Sequence, residues 1–406
     1  MRLPGLCLLA ALAGVSPAKP PARAAPPQPS GPERDAAVAS ALRRAEGATP
    51  GGPEARRLAV ELQEFGSGYL RSGDSGRAIE LLGEAYALDE GNGSALAELT
   101  LAYAKEEDYD AAAFYLRLAE ERGAAALPET LATYSTLGEI FYGVHRLEDA
   151  VVAWSEAARL GGQDPVLLRR LARSRDELAV ARGQRSLSTE NFSLFAEPAI
   201  PESILRDAAD DLEAAHRAQS AFFGVPLARR QVVVLYGGRA FFALASVPDW
   251  VSGVYDGKIR VALRAAAADD PAALSTVLAH ELAHALMRQA SGDRAPGWLH
   301  EGLAQWLEGR RLSREEARAA MRGRGAGSIE ELESRFPGAM DRAQARALYA
   351  QSLSLVEYVV SVRGEGALAC VVARLREGDS IADALRAETA LGPRELFQGW
   401  RAWIGA

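Results

Sequence analysis

Between about residues 55 and 165 the apolar positions recur with a fixed period. Tyr69 and Tyr103 lie 34 residues apart, as do Ala78 and Ala112, Leu82 and Leu116, and Ala85 and Ala119. A third copy follows after a four-residue insertion, with Phe141, Ala150, Trp154 and Ala157. Each copy predicts a helix, a polar turn (Ser72-Gly73-Asp74, Glu107-Asp108, His145-Arg146) and a second helix. Small Ala residues sit where helices would cross, and large residues at matching positions fill the gaps. Pro165 to Arg182 reads as a partial copy or capping helix. Beyond residue 185 the pattern changes. Asn191 to Ala196 alternates apolar and polar, which predicts a strand, and Gln231 to Tyr236 is a β-branched strand. Gly253 to Leu263 reads as a hairpin with Asp256-Gly257 at its turn. Ile204 to Phe223 reads as an amphipathic helix. Asp269-Asp270-Pro271 is an N-cap followed by Pro at the first helical position. No Pro or Gly occurs from Ala272 to Gln289, and Leu274, Val277, Leu278, Leu282, Ala285 and Leu286 form a core face, with Gly292 as the stop. From Ser313 onward the pattern is helical.

Composition adds compartment and size. The 406 residues are 48% hydrophobic, which suits two or three globular domains rather than a disordered chain. The formal net charge is −8, with both signs spread along the chain and no basic stripe for nucleic acid. Met1-Arg2, the apolar run Leu3 to Val15 and Ser16-Pro17-Ala18 describe a secretory signal peptide over residues 1–18, so the expected location is periplasmic or secreted. Residues 19–53 read as a disordered Pro/Ala-rich linker. No later stretch predicts a membrane span. Cys7 falls in the leader. Cys370, flanked by Leu368-Ala369 and Val371-Val372, reads as buried and apolar.

The chemistry concentrates in His280-Glu281-Leu282-Ala283-His284. On the predicted helix two imidazoles four residues apart share a face, and Glu281 points about 100° away. This is what a catalytic metal centre asks for: ligands, an open position, and a base for a water. Such a site usually takes a third protein ligand. After a loop from Ser291 to Gly297, the segment Pro296-Gly-Trp-Leu-His-Glu-Gly-Leu-Ala-Gln-Trp306 starts a second apolar helix that offers His300 or Glu301. Neighbours on a helix differ by about 100°, so one of them points at the ion. His216 reads as structural or exposed, and His145, in a turn, as solvated.

The pair HELAH and WLHEGLAQW resembles the gluzincin zinc metallopeptidases, and most of all the bacterial peptidase MA-like families. The resemblance is specific only over about Leu274 to Leu307. It implies Zn²⁺ held by His280, His284 and Glu301, with Glu281 as general base and His300 outside the ligand set. It also implies an oxyanion donor from a later helix, for which Tyr349 is the candidate, and a strand beside the metal that pairs with extended peptide, either Ile259 to Leu263 or its hairpin neighbour. The N-terminal period resembles tetratricopeptide (TPR) repeats, best in Leu137-Gly138 with Phe141, Ala150 and Trp154, which implies a groove for a substrate or protein partner. The expected architecture is an all-α TPR solenoid over residues 54–183, followed by an α+β zincin-like metallopeptidase domain over 184–406. The expected activity is peptide-bond hydrolysis on peptide or protein substrates. The alternative is a non-catalytic TPR scaffold with a degenerate zincin module.

Overall fold

A computed structural model describes residues 31–122, 128–161, 164–245, 247–248, 250–263, 271–322, 325–336 and 341–405. The signal-peptide reading of residues 1–18, the first part of the linker reading, and the Asp269-Asp270 cap lie outside the described residues. The chain divides into two compact units, one ending at Arg182 and the other beginning at Gly183.

The N-terminal unit is helical: α1 (Gly31–Glu46), α2 (Pro53–Ser72), α3 (Ser75–Leu88), α4 (Gly93–Lys105), α5 (Tyr109–Arg122), α6 (Pro128–Gly143), α7 (Leu147–Arg159) and α8 (Pro165–Ala181). Helices α2 and α3, α4 and α5, and α6 and α7 pack as pairs, and α8 packs on α7. The turns are set locally. Gly73 takes a left-handed φ of 88° to end α2, and the side chain of Asp74 accepts from the Arg77 backbone N–H to start α3. One small-against-large pairing recurs at the same two positions. A Cβ at Gly66 would lie 2.7 Å from Leu82 Cγ, and a Cβ at Gly138 would collide with the indole of Trp154. Thr100 and Leu116 hold these positions in the middle copy. Side-chain bonds then tie each copy to the next: Ser67 to Glu98, Ser94 to Thr130 at 3.3 Å, and the Tyr142 hydroxyl to Glu177 at 2.7 Å.

Two expectations for this unit are corrected. Residues 31–46 form helix α1 rather than linker. The prolines stop at Pro32, and Val38, Ala41 and Ala45 recur at helical spacing, so burial against Ala55, Leu58 and Leu62 stabilises what Ala-rich composition already favours. His145 is not solvated. It is buried with a φ of 65°, and its Nδ1 lies 3.8 Å from the buried carboxylate of Glu177.

The C-terminal unit combines a small sheet with helices. Its elements are β1 (Arg185–Ser188), β2 (Phe192–Ala196), α9 (Glu202–Phe223), β3 (Gln231–Tyr236), α10 (Arg239–Ala245), β4 (Gly253–Tyr255), β5 (Ile259–Ala262), α11 (Pro271–Ser291), α12 (Gly297–Leu307), α13 (Arg314–Met321), α14 (Ile329–Ser334), α15 (Arg342–Arg363), α16 (Glu365–Glu377), α17 (Ile381–Thr389) and α18 (Pro393–Ile404). The strand order is β1-β2-β3-β5-β4. Strands β2, β3 and β5 run parallel, while β1 and β4 join antiparallel at the two edges. Helix α11 packs on β4 and β5 on one side and on α9, α12 and α16 on others, so it runs through the middle of the unit. Helix α15 packs on α12, α13, α16 and α18, and the Trp400 indole of α18 donates to Ser354 at 2.9 Å.

The burial expected for Cys370 is wrong: the thiol is exposed. Leu368, Val371, Val372 and Leu375 form the inward face of α16, and Cys370 lies one residue, about 100°, off that face. His216 is buried and accepts from the Leu227 backbone N–H at 3.3 Å, a structural role.

The pairing of Gly138 with Trp154 generates a test. Gly138→Ala gains about 1 kcal/mol of helix propensity but forces the indole off its seat, and overpacking of this kind costs about 1–3 kcal/mol. Chemical denaturation should show a net loss of stability; an unchanged or raised midpoint would contradict the close contact.

Candidate metal centre

Helix α11 has apolar residues on the faces that meet the sheet and α9, which leaves His280 and His284 one turn apart on a shared face. Both are buried, at 2% and 0% exposure. Their rings meet edge to face at 83° with centroids 4.8 Å apart, and the two Nε2 atoms lie 3.1 Å apart. The helix ends where Gly292 and Asp293 both adopt left-handed φ values of 62°. Two such residues in succession turn the chain sharply, and Pro296 then opens α12 back against α11. On α12, Gly302 permits a close approach to α15, since a Cβ there would lie 2.6 Å from the Ser352 carbonyl oxygen.

That packing carries Glu301 to the imidazoles. Its Oε2 lies 3.6 Å from His280 Nε2, and its Oε1 lies 3.7 Å from His284 Nε2. One ligand atom from each of His280, His284 and Glu301 falls within 4.8 Å of the others. The donor set fits a metal ion. Ligands at 2.0–2.2 Å in a tetrahedral shell stand about 3.3–3.5 Å from one another, close to the separations here. Burial of two imidazoles and a carboxylate facing one another is also expensive unless something joins them.

The electrostatics run the same way. Burial favours neutral His280, but the charges of Glu308 and Glu301, with their hydrogen bonds, outweigh it and hold the His280 pKa well above the ordinary range. Burial, then the charges of His280 and His300, push His284 well below it. Only Glu301 faces the space between the two rings; Glu308 acts on His280 from its far side.

Of the two candidates for third ligand, the structure brings in Glu301. His300 is buried beside His284. Its ring centroid is 5.7 Å from that of His284, and burial followed by the Arg288 charge lowers its pKa to about 4. Glu281 is fully buried, with its carboxylate against the edge strand. A Cβ at Gly253 would lie 2.6 Å from Glu281 Oε1 and 2.8 Å from Val277 Cγ1, so a residue without a side chain is required there. Tyr349 is buried on α15, and its carbonyl accepts from Gln305 at 3.0 Å. It is not one of the three groups that converge. The substrate-strand expectation narrows as well. Strand β5 is paired on both sides, by β3 and β4, which excludes Ile259 to Leu263.

Sequence reasoning missed Glu308. Its Oε2 lies 2.6 Å from His280 Nδ1, so the ring is gripped on the side away from Glu301. The signal was present: Glu308 follows Glu301 by seven residues, two helical turns along one face. Gln305, between them, donates to the Glu301 and Tyr349 carbonyls and accepts from Arg310 at 2.7 Å.

Two imidazoles and a carboxylate thus converge from adjacent helices, the first of which packs on the sheet, in an arrangement that could hold a metal ion. Residues 229–406 match the Peptidase MA superfamily, which supports a peptidase in this part of the chain. The compact unit starts earlier, at Gly183, so β1, β2 and α9 precede the matched region. None of the curated proteins matches the chain.

Glu308 fixes the His280 ring and makes it a better donor. Glu308→Gln should therefore weaken divalent-metal affinity about 10–100-fold with little change in fold, as read by competition with a chelator. Equal affinity in the two proteins would show the contact to be incidental.

Proposed function

We propose that the C-terminal unit is a zinc-dependent peptide hydrolase of gluzincin type. The convergence of His280, His284 and Glu301 carries this reading, and the match to the Peptidase MA superfamily supports it. His280 and His284 would hold the ion through Nε2, and Glu301 through its carboxylate. Zinc so bound supplies Lewis acidity, polarising the scissile carbonyl and making a water acidic near neutral pH. Glu281 accepts the proton of the attacking water on its carboxylate and passes it to the amide nitrogen that leaves. The Tyr349 hydroxyl donates to the developing oxyanion.

Strand β4 is the outer strand on its side of the sheet among the described residues, and Gly253 brings its backbone close to Glu281. An extended peptide would add to that edge through main-chain hydrogen bonds and lie across the metal. The helical repeats of the N-terminal unit would act as TPR repeats that recruit the substrate or a protein partner. No helix among the described residues is long and apolar enough to cross a membrane. An exported protein, periplasmic or secreted, with residues 1–18 as its leader, completes the reading.

The decisive experiment combines metal analysis of the purified protein with cleavage of a peptide library by wild type and by Glu281→Gln. The variant should retain zinc and lose about 10²–10⁴-fold in rate, the contribution of a general base. Zinc bound equally with no cleavage by either protein would instead favour the non-catalytic scaffold.

A further inference from the structure

Helix α12 carries Glu301 but lacks a cap of its own. Pro296 stands at its N-cap and makes no side-chain cap hydrogen bond. Leu299 and His300 donate to the Pro296 carbonyl, each at 3.0 Å, which leaves the N–H groups of Gly297 and Trp298 to find acceptors elsewhere. Both find Glu333. Its Oε1 accepts from Gly297 at 3.0 Å and its Oε2 from Trp298 at 3.1 Å. Glu333 lies 36 residues beyond Gly297, half-buried on α14, a short helix fixed by the buried Ile329 and Leu332 and by its own Ser328 cap. The approach is close: a Cβ at Gly297 would lie 2.8 Å from Phe336 Cγ, so Gly297 is what allows the α14 segment to reach the first turn of α12.

We propose that Glu333 is a positioning residue for the metal centre, its carboxylate capping α12 from another helix and so fixing the rotation that aims Glu301 at His280 and His284. The inference rests on the metal reading above. Glu301 is four residues from Gly297, only one turn from the helix start, where fraying concentrates. A slip of one residue at that end rotates a side chain by about 100°. Ligands must be held far more tightly than that, within about 0.5 Å and 10–20°. Two bonds from one carboxylate at the N-terminal end of the helix oppose such a slip.

The test is the Zn²⁺ affinity of the full chain, by chelator competition, alongside the thermal midpoint. Glu333→Ala should bind Zn²⁺ about tenfold more weakly, the lower end of the range for supporting residues around a metal. Adding Pro296→Asp supplies a local cap for the same helix and should restore affinity to within about threefold. If Glu333→Ala does not fold, Glu333→Gln takes its place. It keeps the shape, has one acceptor oxygen and no charge, and should lose about threefold with the same rescue. Wild-type affinity in the variant overturns the proposal. So does a double variant whose thermal midpoint recovers while its Zn²⁺ affinity does not, because Glu333 would then serve stability alone. A wild-type protein that retains no Zn²⁺ overturns the metal reading itself, before any variant is compared.

Discussion

The C-terminal unit is organised around the mutual approach of three buried polar groups, His280, His284 and Glu301. Two imidazoles and a carboxylate in that position are costly to desolvate. The surrounding structure holds the arrangement in place through one direct bond and through the packing of the two helices. Glu308 takes His280 at its far nitrogen, Gly302 lets α12 press close to α15, and the paired left-handed residues Gly292 and Asp293 return the chain at the right point. The site is thus a property of how α11 and α12 pack, and the short motif on α11 acquires its meaning only from that packing.

The N-terminal unit solves a simpler problem. Its helices need only bury apolar faces, and they do so by repeating one contact, a small residue on the first helix of a pair against a large one on the second. Gly66 with Leu82 and Gly138 with Trp154 are the close contacts of the first and third copies, and Thr100 with Leu116 takes the same positions in the middle one. Polar bonds that reach one copy ahead, such as Tyr142 to Glu177, then set the stagger between pairs.

Local signals read well from the sequence wherever period and punctuation agree. Gln231–Tyr236 is a strand to the residue, the hairpin turns at Asp256-Gly257, and the helix bearing the two His runs Pro271–Ser291. The spacing of His280 and His284 placed them on one face without any tertiary knowledge. The choice between His300 and Glu301 was different in kind. Helix geometry allowed either; the family resemblance pointed to Glu301, and the packing of α12 against α11 brings that residue to the imidazoles. Contacts between distant segments left no local trace, and Glu333 on Gly297 and Trp298 is the clearest instance. Composition misled at two places. An Ala-rich stretch after Pro32 resembled a linker until its buried face became visible. The apolar neighbours of Cys370 suggested burial, whereas helix rotation turned the thiol outward.

Glu301 and Glu308 stand at the two ends of a single rigid span of fewer than ten residues. One holds the near side of the ring pair and the other the far side of His280. A displacement of that span would loosen both grips in one event, so partial assembly of the centre is not a stable option. Insertions or deletions in the Ser291–Gly297 connection should accordingly be far less tolerated in this lineage than changes of side chain within it.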